Sequence, residues 1–99
     1  MKGYVIADID VLDPEAYVEY TRQVPATLEL YGGRFLVRAG AWEALEGDWA
    51  PKRLVVLEFD SPEQARAWYE SEEYRGPKEL RQRASNGNLL LVEGAPRVL

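Results

Sequence analysis

Tyr4-Val5-Ile6-Ala7-Asp8-Ile9-Asp10-Val11 runs directly into Leu12-Asp13-Pro14-Glu15, and the pattern is that of a strand handing over to a helix. In an extended chain Val5, Ala7, Ile9 and Val11 share one face, while Tyr4, Ile6, Asp8 and Asp10 share the other. The first face is apolar throughout, as a helix-covered face must be. The second mixes apolar and acidic groups. Asp13 is suited to cap the free N–H groups of a helix start, Pro14 to the first helical position, and Glu15 to the positive helix end.

Working outward, Tyr17, Tyr20, Val24, Leu28 and Tyr31 recur at spacings of 3 or 4 and make one buried stripe. Pro25 interrupts the hydrogen bonding but not the phase of that stripe, which predicts a kinked helix or two abutted ones. Gly32-Gly33 supplies the permissive backbone of a helix stop. Residues 34–38 read as a second strand, continued through Trp42–Leu45 beyond a bend at Gly40. Glu46 to Pro51 reads as a hairpin loop. Residues 53–59 form the most hydrophobic strand and are expected at the centre of the sheet.

Ser61-Pro62-Glu63-Gln64 has the form of a capping box, with Gln64 reaching back to the cap. The short helix that follows buries Ala65 and either Trp68 or Tyr69. The chain is expected to break around Ser71 and again at Gly76-Pro77, leaving a last turn or two with Leu80 and Ala84. Asn86-Gly87-Asn88 reads as a turn, Leu89 to Val92 as the final strand, and Gly94 to Leu99 as a tail. The order β-α-β-β-α-β is the α+β, ferredoxin-like arrangement with an antiparallel sheet. One domain over residues 1–99, with its core at about 3–94, accounts for the whole pattern.

Composition narrows function by exclusion. Acidic side chains outnumber basic ones 17 to 12, for a net charge of −5, which repels nucleic acid and anionic lipid. No apolar run approaches the ~20 residues of a bilayer span, and the N-terminus lacks a signal pattern, so the expected location is the cytoplasm. Neither cysteine nor histidine occurs. That removes disulfides, thiolate chemistry, the usual general base and the usual metal ligand. Asp8 and Asp10 offer only an oxygen pair suited to Ca²⁺ or Mg²⁺, and neither a metal nor any other cofactor is expected.

Several segments occur together in a familiar order: Gly3-Tyr4-Val5-Ile6-Ala7, Asp13-Pro14-Glu15-Ala16-Tyr17, Tyr31-Gly32-Gly33-Arg34-Phe35-Leu36-Val37-Arg38 and Leu45-Glu46-Gly47-Asp48-Trp49. Pro51, Arg53-Leu54-Val55-Val56, Glu58-Phe59, Ala67-Trp68-Tyr69 and Glu73-Tyr74 follow them. The chain thereby resembles the bacterial domain-of-unknown-function 1330 family from its first residues to about Gly94. The resemblance implies a dimeric α/β barrel, in which two ferredoxin-like sheets face each other. Relatives in that superfamily include cofactorless monooxygenases and isomerases of small metabolites. The family has no agreed reaction, so it carries over no catalytic residue. Gly76-Pro77 departs from a stretch that is usually more helical.

Alternation puts Arg34 and Arg38 on one face of the second strand, and Glu58 on one face of the third with Leu54 and Val56. Glu58 interrupts an apolar strand, and Arg38 is its expected partner. Two readings of Asp8, Arg38 and Glu58 stand open: a binding site for a small polar metabolite, or a structural ion-pair network. Tyr69 and Tyr74 are expected to rim a cleft between sheet and helices, while Tyr17, Tyr20, Tyr31 and Trp68 divide between pocket lining and core. The candidate ligand-binding set is therefore Asp8, Arg38, Glu58, Tyr69 and Tyr74. Trp42 and Trp49 suggest a contact surface for a second subunit. Expected partners are another copy of the chain and a small-molecule ligand. The expected function is that of a non-catalytic binding or structural dimer, with a cofactor-independent small-metabolite enzyme of the monooxygenase or isomerase kind as the alternative.

Overall fold

The computed structural model describes residues 1–96. The elements are β1 (Gly3–Val11), α1 (Pro14–Leu30), β2 (Arg34–Arg38), β3 (Leu54–Phe59), α2 (Pro62–Tyr69), α3 (Glu72–Ala84) and β4 (Ser85–Glu93). Of the expected tail, 97–99 lie outside the described residues. The strands form one antiparallel sheet in the order β2-β3-β1-β4. β3 is thus inserted between β1 and β2, the ferredoxin-like arrangement expected. All three helices cover one face of the sheet. Among the described residues no helix is long and apolar enough to cross a membrane.

The start of α1 follows from its sequence. Asp13 accepts from the Ala16 N–H at 3.3 Å, and Pro14 occupies the first turn, where its missing N–H costs nothing. Of the two expected forms, α1 is the single helix through Pro25. It buries Tyr17, Tyr20, Val24, Thr27 and Leu28. At its end Gly32 takes φ +70°, and the Gly33 N–H closes on the Leu28 carbonyl at 2.9 Å.

Four local expectations need correction. Gly76-Pro77 does not interrupt α3. Tyr74, Pro77, Arg81 and Ala84 keep one buried stripe in phase, so packing outweighs the lost hydrogen bond. The break expected around Ser71 is present, and Ser71 caps α3 by accepting from the Tyr74 N–H at 3.1 Å. Asn86-Gly87-Asn88 is not a turn but the first part of β4, paired with Asp10, Ile9 and Asp8. Gly87 is needed there, because a Cβ would lie 2.7 Å from both the Asp8 carbonyl and Ile9 Cδ1.

The second strand ends at Arg38 and does not resume at Trp42–Leu45. Pairing with β3 ends where the Ala39 N–H donates to the Leu54 carbonyl at 2.8 Å, and the residues before Leu54 turn their N–H groups to the Asp8 carboxylate instead; residues 39–53 form an irregular arm. In the capping box, Ser61 accepts from the Gln64 N–H as expected, at 3.1 Å. The Gln64 side chain instead donates to the Tyr31 carbonyl at 3.0 Å, tying α2 to the end of α1.

The core lies between helices and sheet. Phe59, Trp68, Tyr74 and Ile9 are its largest fully buried side chains. Trp68 and Tyr74 stack with ring centres 4.0 Å apart, and the indole N–H of Trp68 donates to Thr27 Oγ1 at 3.0 Å.

Candidate functional site

One irregularity in β2 decides what faces the core. Phe35 pairs with Leu57, but Val37 pairs with Val56 and Arg38 with Val55, so Leu36 is an extra residue, a β-bulge. Beyond the bulge the alternation is reversed. Arg34 stays on the open face of the sheet, while Arg38 turns to the helix side. The expected Arg38–Glu58 pair is therefore not formed. Arg34 takes the role, its Nη2 at 2.6 Å and Nε at 2.7 Å from Glu58 Oε1. Tyr4 donates its hydroxyl to Oε2 at 2.8 Å. That Tyr4 hydrogen bond, helped by Arg34, holds the Glu58 carboxyl below the usual carboxylate range.

Asp8 lies on the same open face and is fully engaged. Its carboxylate accepts from the Lys52 N–H at 2.8 Å, Trp49 Nε1 at 3.2 Å and the Arg53 N–H at 3.4 Å. Asp8 thus fastens the end of the arm to β1. Among the described residues no group of three or more acidic side chains could hold a metal ion.

On the helix side, strands and helices enclose a chamber floored by Val5, Ala7, Ile9 and Leu57 and walled by Tyr17, Tyr20, Phe35, Trp68 and Tyr74. As packed, its cavity volume is ≈ 40 Å³, room for a few water molecules at about 10–15 Å³ each. Among the described residues three arginines, Arg38, Arg53 and Arg81, reach the chamber, and no carboxylate does. Apart from Leu89 on β4, the lining residues open to solvent, Thr21, Phe35, Arg53 and Val55 in part and Arg38 as an exposed residue, gather where α1 passes β2 and β3, which sets the mouth there.

At the closed end, the hydroxyls of Tyr20 and Tyr74 are 2.7 Å apart and Arg81 Nε donates to Tyr74 at 3.3 Å. Burial pushes both phenols up. For Arg81 burial works against the charge, but Tyr74, Tyr20 and Tyr69 together outweigh it and the group is held above its ordinary value.

The five expected ligand-binding residues are thus divided by the sheet. Arg38 and Tyr74 line the chamber, Asp8 and Glu58 face the other way, and Tyr69 packs outside the lining. Tyr69 is stacked 6.0 Å from Tyr74, with the Lys78 ammonium 4.4 Å over its ring. Tyr74 is wholly buried, so it is a wall of the chamber and not a rim.

Sequence reasoning missed Arg53 and Arg81, although both left a signal. Arg53 has the parity of Val55, Leu57 and Phe59, and Arg81 stands seven residues after Tyr74 on the buried stripe of α3. Arg81 is an arginine at a buried position, and Arg53 is a half-buried one on the helix-facing parity of β3.

The family model described as "Domain of unknown function (DUF1330)" matches residues 2–95. No curated protein matches the sequence. A crystal structure of a protein of unknown function from Rhodopseudomonas palustris aligns with a TM-score of 0.75 at 17% identity, over 96% of this chain and 83% of that one. SnoaB, a cofactor-independent oxygenase from Streptomyces nogalater, aligns with a TM-score of 0.63 at 10% identity, over 98% and 96% of the two chains. At these identities the likeness is one of fold.

Proposed function

The chain belongs to the DUF1330 family, and from that premise we propose that it is a homodimeric binding protein, without catalysis of its own, whose ligand is a small, largely apolar molecule held in the chamber. The observation that carries this reading is the lining: aromatic and aliphatic walls with a few convergent polar groups, the composition of small-molecule sites. At ≈ 40 Å³ the chamber holds only a few waters as packed, so a ligand is admitted by rotation of the mouth side chains Phe35, Arg38 and Arg53.

Binding is favoured over turnover by the proton chemistry available. The phenols of Tyr20 and Tyr74 are pushed up by burial and stay protonated at neutral pH. The arginines are cations, the chain has no histidine, and among the described residues no carboxylate reaches the chamber. A group able to take a proton from a substrate is thus missing from the lining. The fold likeness to SnoaB keeps the oxygenase kind as the competing reading.

Dimerisation is supported by what the open face leaves uncovered. One helix layer on one sheet makes a slab 16 Å thick across its Cα atoms. Its bare side presents Tyr4, Ile6, Val56 and Leu90, with Leu90 61% exposed. The arm adds Trp42, Leu45 and Trp49, all exposed. Patches of this kind mark association surfaces, and closed two-fold pairing is the commonest outcome.

Light scattering on a sizing column should give about twice the 11.3 kDa chain mass; a clean monomer removes the dimer. Amide shift mapping with indole and phenol as probes tests the chamber. Perturbations at Phe35, Val55 and the Trp68 indole N–H support it. Perturbations confined to Trp42 and Trp49, or none, reject it.

A further inference from the structure

We propose that Arg53 and Arg38 form an anion seat at the mouth of the chamber, so that its ligand is a carboxylate or similar oxyanion on an apolar body; this rests on the chamber being a ligand site. Arg53 is the last residue before β3. Its carbonyl accepts from the Ile9 N–H at 3.0 Å, and its parity with Val55 sends the side chain to the helix side. Its guanidinium lies 5.2 Å from the centre of the Tyr17 ring. Arg53 Nε is buried and has no hydrogen-bond partner, the one such side-chain atom among the described residues. A buried cationic donor without an acceptor is costly, and an arriving anion relieves that cost.

Arg38 stands beside it. Arg38 pairs with Val55 across β2 and β3, which makes Arg53 its diagonal neighbour, at a typical separation of roughly 7–8 Å. Its guanidinium caps the Phe35 ring at 4.3 Å and donates through Nη2 to the Thr21 carbonyl at 3.1 Å. Among the described residues the four remaining N–H groups of its fork have no acceptor. None of the ion pairs among the described residues includes Arg38, Arg53 or Arg81.

In a chain of net charge −5, with acids in excess, three unpaired cations around one apolar chamber are a local reversal of sign. Arg81 already serves Tyr74 at the closed end, which leaves Arg38 and Arg53 for a group arriving through the mouth. Two guanidinium planes at an apolar rim suit bidentate capture of a planar oxyanion, with the ligand's body on Phe35 and Tyr17.

The test compares benzoate with benzamide, which share size and shape but not charge, in amide shift titrations of the native protein at fixed ionic strength. Benzoate should bind about tenfold or more tightly than benzamide, with perturbations at Phe35, Arg38 and Arg53. Arg53→Met should erase that difference, Arg38→Met should reduce it, and Arg53→Lys should retain part of it; the spectra themselves report whether each variant is folded. Equal affinities for the two probes would overturn the anion seat and leave the chamber standing as a ligand site. Binding of neither probe would remove both. A benzoate preference unchanged in folded Arg53→Met and Arg38→Met would also overturn the seat.

Discussion

Arg38 donates to the Thr21 carbonyl at 3.1 Å, and Thr21 is the residue whose helical acceptor Pro25 cannot use. An α-helix pairs the N–H of residue 25 with the carbonyl of residue 21, and proline has no N–H. The break that the sequence announces in α1 is therefore filled from β2. The helix keeps its phase, and the arginine that fills the gap is held at the chamber mouth.

This relationship predicts coupling between Pro25 and Arg38. Arg38→Met should cost about 1 kcal/mol or less in the native background, the scale of one partly solvated hydrogen bond. In Pro25→Ala, where the helical bond is restored, the same change should cost close to nothing. Urea unfolding of the four chains of this cycle measures the coupling. Equal costs in both backgrounds would mean that Arg38 does not serve the freed carbonyl.

A second expectation concerns Thr27, which is buried and accepts from the Trp68 indole N–H while donating to the Val24 carbonyl at 2.7 Å. Thr27→Val keeps the shape and removes the acceptor, so the buried indole N–H loses its partner at a cost of about 1–3 kcal/mol. Thr27→Ser keeps the hydroxyl and should cost less. Far-UV circular dichroism during urea unfolding gives both values. A valine variant as stable as the serine one would show that the bond is dispensable.

The third prediction is a pH dependence. Hydrogen bonding from Tyr4, with Arg34 second, lowers the folded-state value of Glu58 below its ordinary 4.5. The unfolded chain therefore binds that proton more readily, and acid favours unfolding. The contribution of Glu58 is fully present above its unfolded value and is lost as pH falls through the folded one. Melting temperatures recorded from pH 7 to pH 3 should fall more steeply for the native chain than for Glu58→Gln. Parallel curves would remove Glu58 from the acid response. If the open face is buried between two copies, the same titration should also loosen the dimer.

Much of this architecture was legible in the residues themselves. Strand alternation and the Asp13-Pro14 cap define β1 and α1 because both rest on local geometry. The buried stripes of α1 follow from spacing alone. What stayed hidden depends on partners distant in sequence. Arg34-Phe35-Leu36-Val37-Arg38 reads as unbroken alternation, and only pairing with β3 reveals Leu36 as surplus; hence Arg38 was matched to Glu58, and the chamber's basic mouth went unseen. Gly76-Pro77 and Asn86-Gly87-Asn88 carry the local chemistry of breaks, yet Pro77 is packed into α3, and Gly87 is the only residue that fits over Ile9.

The bulge at Leu36 also bears on how chain length can vary. Deleting Leu36 would leave every pair on either side of it in register and remove only a side chain 51% exposed to solvent. Inserting a residue between Val37 and Arg38 would instead carry the arginine round to the open face, away from the mouth. Chains that agree with this one at Arg34 and Arg38 but differ in the count of residues between Val37 and Arg38 would thus place the same guanidinium on opposite sides of the sheet. An alignment column at this point compares residues without comparing their surroundings.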